Sequence, residues 1–88
     1  MGELIHTYST PIRTSDGERF VARAYGAQRA DGTWEGWLEF LPVAGTRPIL
    51  RTERETTQPN RKAVEYWSEG LEPVYLEGAF ARAQVVAG

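Results

Sequence analysis

The sequence predicts a two-layer α+β domain: an antiparallel β-meander, one crossover helix and a final strand, in the order β-β-β-α-β. Three observations predict it. Two strand-like runs, 18–28 and 33–42, flank the turn residues Arg29-Ala30-Asp31-Gly32, which is the pattern of a hairpin. Further on, Ala63, Val64, Trp67 and Leu71 recur at three- and four-residue spacing, which gathers them on one side of a helix. The last run, 74–82, alternates Val74, Leu76 and Phe80 against Tyr75, Glu77 and Ala79, as a half-buried strand does. A helix with one apolar stripe needs a wall to bury it, and the sheet supplies that wall.

Each element has its own signals. Leu4 to Tyr8 has strand-like content, while Pro11 confines residues 1–14 to an extended arm or an extra N-terminal edge strand. Ser15-Asp16-Gly17 is a turn. In the hairpin, a three-residue Ala30-Asp31-Gly32 loop with Gly32 left-handed is a common solution. It sets Phe20, Ala22, Ala24 and Gly26 across from Trp34, Gly36, Leu38 and Phe40 on one face. The other face then pairs Val21 with Leu41, Arg23 with Glu39 and Tyr25 with Trp37. A two-residue Asp31-Gly32 turn would shift the register by one and set Arg23 against Phe40. Cross-strand pairs contribute roughly 0.2–1 kcal/mol each, and several improve together in the first register.

A third strand is expected over 48–55, with Leu50 meeting Phe40, Ile49 meeting Leu41 and Arg51 meeting Glu39. The outer face then carries a row of Arg23, Glu39 and Arg51, read as modest surface ion pairs. Pro59 suits a first helical turn, Thr57 or Gln58 stands ready to cap it, and Gly70 can close the helix in the left-handed region. A right-handed crossover brings the last strand beside the first, giving the spatial order 3-2-1-4. Residues 84–88 are expected to fray.

The bulk numbers bound the function. Eighty-eight residues make a single domain over 1–88, and 41% hydrophobic with 25% charged residues is an ordinary globular composition. The formal net charge of −2 argues against general binding by phosphate neutralisation. Cysteine is absent, which excludes disulfides, thiolate metal sites and thiol nucleophiles within the chain. No run is long enough to span a bilayer, and the N-terminus lacks the basic and apolar regions of a signal peptide. A cytoplasmic location without membrane contact is the expectation.

Between residues 20 and 82 the expected strand and helix order is similar to the meander-plus-crossover half of ribonuclease-H-type sheets, the outline also of HicB-type antitoxins. The resemblance is topological, since no HicB motif is matched. The run Glu55-Thr56-Thr57-Gln58-Pro59-Asn60-Arg61, continuing through Glu65-Tyr66-Trp67 and on to Gly78, resembles a stretch of small uncharacterised bacterial proteins. That likeness implies a bacterial origin and no particular activity.

No catalytic constellation is visible. His6 is the only histidine, and its neighbours Glu3, Thr7 and Tyr8 offer no positioned partner for acid–base work. One histidine without cysteine leaves no zinc set, and the turn glycines match no phosphate loop; no metal or cofactor is expected. Glu35, Glu39 and Glu53 fall on an open face that lacks the cleft needed to raise a carboxyl pKa.

Two candidate sites remain. Arg51, Arg54, Thr57, Arg61 and Lys62 flank the helix start, where free amides and the dipole favour an anion, although Glu53, Glu55 and Glu65 are interleaved. Val21, Tyr25, Trp37, Leu41 and Ile49 form an apolar patch on the sheet face away from the helix. A contiguous patch of this kind calls for a cover: the N-terminal segment, a second copy or another protein. The expected function is a non-enzymatic interaction module, homodimeric through that face. The alternative is an antitoxin-like or nucleic-acid-associated regulator that uses the basic cluster.

Overall fold

Gly32 has a φ of +89°, and around it the chain turns in the three-residue loop that the pairing pattern favours. The Arg29 amide donates to the Thr33 carbonyl at 2.7 Å, and Asp31 accepts from the Thr33 amide at 3.0 Å. In the computed structural model, residues 2–45 and 47–86 are described. The strands are β1 (Glu3–Thr7), β2 (Ile12–Arg13), β3 (Arg19–Gln28), β4 (Trp34–Pro42), β5 (Leu50–Arg51), β6 (Thr56–Gln58) and β7 (Gln84–Val85). The helices are α1 (Arg61–Glu69) and α2 (Pro73–Arg82).

The long β3–β4 hairpin is the backbone of the sheet. Its register is the expected one: Val21 opposes Leu41, Arg23 opposes Glu39, and Tyr25 opposes Trp37. β5 continues it, with Arg51 opposite Glu39 and Leu50 opposite Phe40. The strands run β1-β3-β4-β5-β7, with β2 also on β3 and β6 also on β4. Every pairing is antiparallel. The N-terminal segment therefore does form an edge strand, and it takes the place beside β3 that a parallel returning strand was expected to fill.

The expected last strand is a helix. Residues 73–82 form α2, opened by Pro73 in its first turn, where the missing N–H does no harm. The segment supports two periods at once. Val74, Leu76 and Phe80 alternate as in a strand, but Leu76, Ala79, Phe80 and Ala83 follow helical spacing. Packing decides between them. Leu76 and Ala79 are buried, and the Phe80 ring sits 5.0 Å from that of Phe20 and 5.2 Å from that of Phe40. An alternating strand would turn Ala79 away from this cluster. The order 3-2-1-4, the single crossover helix and the final strand are thereby corrected.

Three local expectations also change. The cap of α1 is Asn60, whose side chain accepts from the Ala63 amide at 2.9 Å, so Thr57 and Gln58 stay in β6 and Pro59 precedes the helix. Gly70 closes α1 at φ −89°, outside the left-handed region. Gln84 and Val85, expected to fray, pair with β5; residues 87 and 88 lie outside the described residues.

The third strand, expected as one piece over 48–55, is broken. Thr52 belongs to the Leu38 position: its amide donates to the Leu38 carbonyl at 2.9 Å, and its hydroxyl accepts from the Leu38 amide at 3.0 Å. Thr56 then opposes Gly36. Glu53, Arg54 and Glu55 are thus all set against Trp37 alone. This is an enlarged bulge, three residues against one, the kind of insertion that re-aims side chains. Glu55 turns toward α2, where it accepts from the Tyr75 hydroxyl at 2.5 Å and from Arg82 at 2.6 Å.

Both helices lie on the same side of the sheet. The core there contains Phe20, Ala22, Ala24, Leu38 and Phe40 from β3 and β4, with Leu76 and Ala79 from α2. α1 approaches closest over the facing pair Gly26 and Gly36. A Cβ on Gly36 would lie 3.1 Å from the Trp67 ring and 3.2 Å from Val64. The absent side chains are what let α1 descend onto the sheet.

Tyr8 ties the N-terminal arm to α1, its hydroxyl donating to the Ser68 carbonyl at 2.6 Å. Burial pushes the Tyr8 hydroxyl up to about 12 from its ordinary 10.0. A folded-state pKa above the unfolded one means that the fold holds the proton more tightly. The linked stability is complete below the unfolded value and is lost as pH rises toward the folded one. The melting temperature is therefore expected to fall as pH climbs from 10.0 to about 12. Tyr8→Phe should start lower, by about 1 kcal/mol for the lost bond, and fall less steeply. Parallel alkaline slopes for the two proteins in circular-dichroism melts would show that Tyr8 carries no linkage.

Candidate functional site

With both helices on one side, the opposite side of the sheet is left without a covering layer. Its side chains fall into three rows across the strands. The first is apolar: Val21 and Leu41 oppose each other, Ile49 lies just ahead of β5, and the Val86 amide donates to the Ile49 carbonyl. The second is polar: Thr7 is opposite Arg23, Arg23 opposite Glu39, Glu39 opposite Arg51, and Arg51 opposite Gln84. The third is Leu4 opposite Tyr25 and Tyr25 opposite Trp37.

The alternation of a strand puts these rows on one face. Phe20, Ala22 and Ala24, the residues between them on β3, are buried beneath the helices, while Val21, Arg23 and Tyr25 are half-buried. Leu4 and Ile49 are 48% and 39% exposed. Val21, Tyr25, Trp37, Leu41 and Ile49, the residues expected to share the patch, do share a face.

Trp37 is the exception in exposure, at only 5%. Its ring runs parallel to that of Tyr25, with centroids 6.3 Å apart and planes 13° from each other. The Arg51 guanidinium lies over it, 4.5 Å from the centroid, an attractive placement of a cation on an aromatic face. Gly2 is seated so tightly that a Cβ there would fall 2.4 Å from the ring. The indole N–H donates to Glu39 Oε2 at 3.1 Å. Trp37 is thus already covered from within the chain, and a charge placed there would strike the fold before any docking surface.

The expected ion-pair row takes a different form. Among the described residues, neither Arg23 nor Arg51 comes within salt-bridge distance of Glu39. Arg51 goes to the Trp37 ring and Glu39 to the indole. Among the described residues, Arg23 is left with its Nε buried and without a hydrogen-bond partner. Such a donor is uncommon enough in folded proteins to require an explanation.

The basic cluster divides: two of its members share a cleft and three lie elsewhere. Arg51, over Trp37, and Arg54, in the bulge, do line one cleft of about 310 Å³, shared with Glu35 and Glu53, and Arg54 also borders a second of about 280 Å³ with Glu55 and Arg82. Thr57 is opposite Glu35. Arg61 bonds Glu3 at 3.2 Å and also pairs with Glu65. Lys62 is exposed on α1. The first-turn amide of Ala63 is already taken by Asn60. Acidic neighbours therefore stand beside Arg54 and Arg61, and the five residues do not converge on one point.

His6 packs edge-on against Tyr8, with ring centroids 4.6 Å apart. Among the described residues, no three histidine, aspartate or glutamate side chains come together as a metal site. The Glu55, Tyr75 and Arg82 group escaped the sequence reading, because only the bulge and the helical form of 73–82 bring its members together. Burial first, then the hydrogen bond and charge of Glu55, push the Tyr75 hydroxyl above its ordinary value. It stays protonated as a tether between the bulge ahead of β6 and α2.

The fold and this face define a small α+β domain: an antiparallel sheet with two helices on one side and an open, partly apolar surface on the other. Comparison with protein-family models, with known proteins and with solved structures returned no match. No helix among the described residues is long and apolar enough to cross a membrane.

Proposed function

We propose that this chain is a non-enzymatic interaction module that pairs with a second copy of itself through the open face of its sheet. The observation that carries this reading is the placement of both helices on one side. It leaves Val21, Leu41 and Ile49 in one row and Leu4 and Tyr25 in another, with neither helix over them. A sheet face of this type buries itself against another layer, and a symmetric pair is the commonest way for one chain to supply it. The alternative, a nucleic-acid-associated regulator, would use Arg51, Arg54, Arg61 and Lys62, and the acidic neighbours Glu53, Glu3 and Glu65 beside Arg54 and Arg61 favour it less.

Sedimentation velocity across a dilution series tests the proposal. The expected result is a dimer that dissociates on dilution. Leu41→Glu, at the centre of the apolar row, should weaken it by about 30-fold or more, the effect of losing a hot-spot residue, with an unchanged far-ultraviolet spectrum. A chain that stays monomeric at every concentration would end this reading.

A further inference from the structure

We propose that the two-fold axis of that pair runs parallel to the strands, between β3 and β4, so that Arg23 of each copy meets Glu39 of the partner subunit. The inference rests on the self-association proposed above and specifies its geometry. In a symmetric face-to-face pair the axis lies in the plane between the sheets, and the polar row discriminates between its possible directions. The order across that row is Thr7, Arg23, Glu39, Arg51, Gln84.

An axis along the row itself would lay Arg23 on its own copy and Glu39 on its own copy. Like charges would meet without water between them, an arrangement that costs several kcal/mol. An axis parallel to the strands through Glu39 would lay Arg23 on Arg51 and Glu39 on its own copy. Shifting the axis to lie between β3 and β4 removes every clash. Arg23 then faces Glu39 twice, and Arg51 faces Thr7. The same operation puts Val21 on Leu41 in the apolar row.

An axis between β4 and β5 would also pair opposite charges, Glu39 with Arg51. Two observations favour the first position. Arg51 is already held over the Trp37 ring, whereas among the described residues Arg23 forms no ion pair within its own chain. β3 and β4 are ten and nine residues long, whereas β5 has two, so only the first axis centres the contact on the extended part of the sheet. The Trp37 indole holds one oxygen of Glu39 and fixes the direction of the carboxylate, leaving the other oxygen for the incoming guanidinium. Pairs of this kind set register and partner choice more than they add affinity.

A charge swap read by sedimentation tests the geometry. Arg23→Glu and Glu39→Arg should each weaken the dimer by about tenfold or more, since one lost pair of this kind exceeds 1.4 kcal/mol. The double variant Arg23→Glu/Glu39→Arg should return it to within about threefold of the original. Restoration by Arg51→Glu/Glu39→Arg instead would place the axis between β4 and β5 and overturn the inference. A dimer indifferent to all of these changes would overturn the geometry while leaving self-association intact, and a strict monomer would remove both. Should Glu39→Arg fail to fold for want of the indole's acceptor, the single variants decide. Arg23→Glu should weaken the dimer while Arg51→Glu leaves it within about threefold, and the reverse order refutes the proposal.

Discussion

Phe40→Ala is expected to destabilise the fold by about 3–5 kcal/mol, the range for removing a large buried aromatic side chain. Phe40 has no exposure at all, lies on the strand that pairs with β3, β5 and β6, and meets Phe80 edge-to-face at 5.2 Å. Its removal strips α2 of its main contact with the middle of the sheet. The neighbours across the strands, Ala22 and Leu50, are too small or too near the sheet's short edge to fill the gap. For an 88-residue chain a loss of this size is a large share of a total stability of about 5–15 kcal/mol. Urea unfolding followed by tryptophan fluorescence measures it, and a loss under about 1 kcal/mol would mean that Phe80 and Phe40 do not pack as described.

Gly36→Val should also destabilise, by about 1–3 kcal/mol, against the usual preference of strands. Valine is a good strand residue and glycine a poor one, so position 36 in isolation favours the change. The helix reverses the sign. The new Cβ would come within 3.1 Å of both Thr56 and the Trp67 ring and within 3.2 Å of Val64, with two methyl groups still to place. Either α1 lifts from the sheet or Trp67 leaves its site. Gly36→Ala should show the same sign at lower magnitude. A valine variant with a raised urea midpoint would place α1 somewhere other than over the Gly26 and Gly36 pair.

The hairpin was legible because several constraints agreed. Gly32 could supply a positive φ, and only one loop length paired Tyr25 with Trp37 and Arg23 with Glu39 together. The same agreement carried the Leu50 and Arg51 pairings across to the next strand. Residues 74–82 were misread because their apolar positions satisfy both a two-residue and a helical period, and the choice was made at a distance, by Phe80 reaching Phe20 and Phe40. Pro73 was the overlooked local signal, since a proline just ahead of an apolar run fits the first turn of a helix. The break at Glu53 to Glu55 had no local signature. It depends on Thr52 capping Leu38 and on Glu55 finding Tyr75 and Arg82, twenty and twenty-seven residues downstream. In the candidate sites, face membership followed from strand alternation, whereas exposure did not. Nothing in the order of residues announces that Arg51 and Gly2 enclose Trp37, or that Arg61 is engaged by Glu3.

The margins of the sheet have a consequence for how copies of the chain can meet. One flank ends in β1, whose register slips between Leu4 and His6, and the other in β6 and β7, of three and two residues. Such ragged borders give an incoming strand little to zip onto, which closes the route by which sheets lengthen into fibrils. Under the proposed pairing, association on the open side is self-limiting, because each copy would cover that surface of the other.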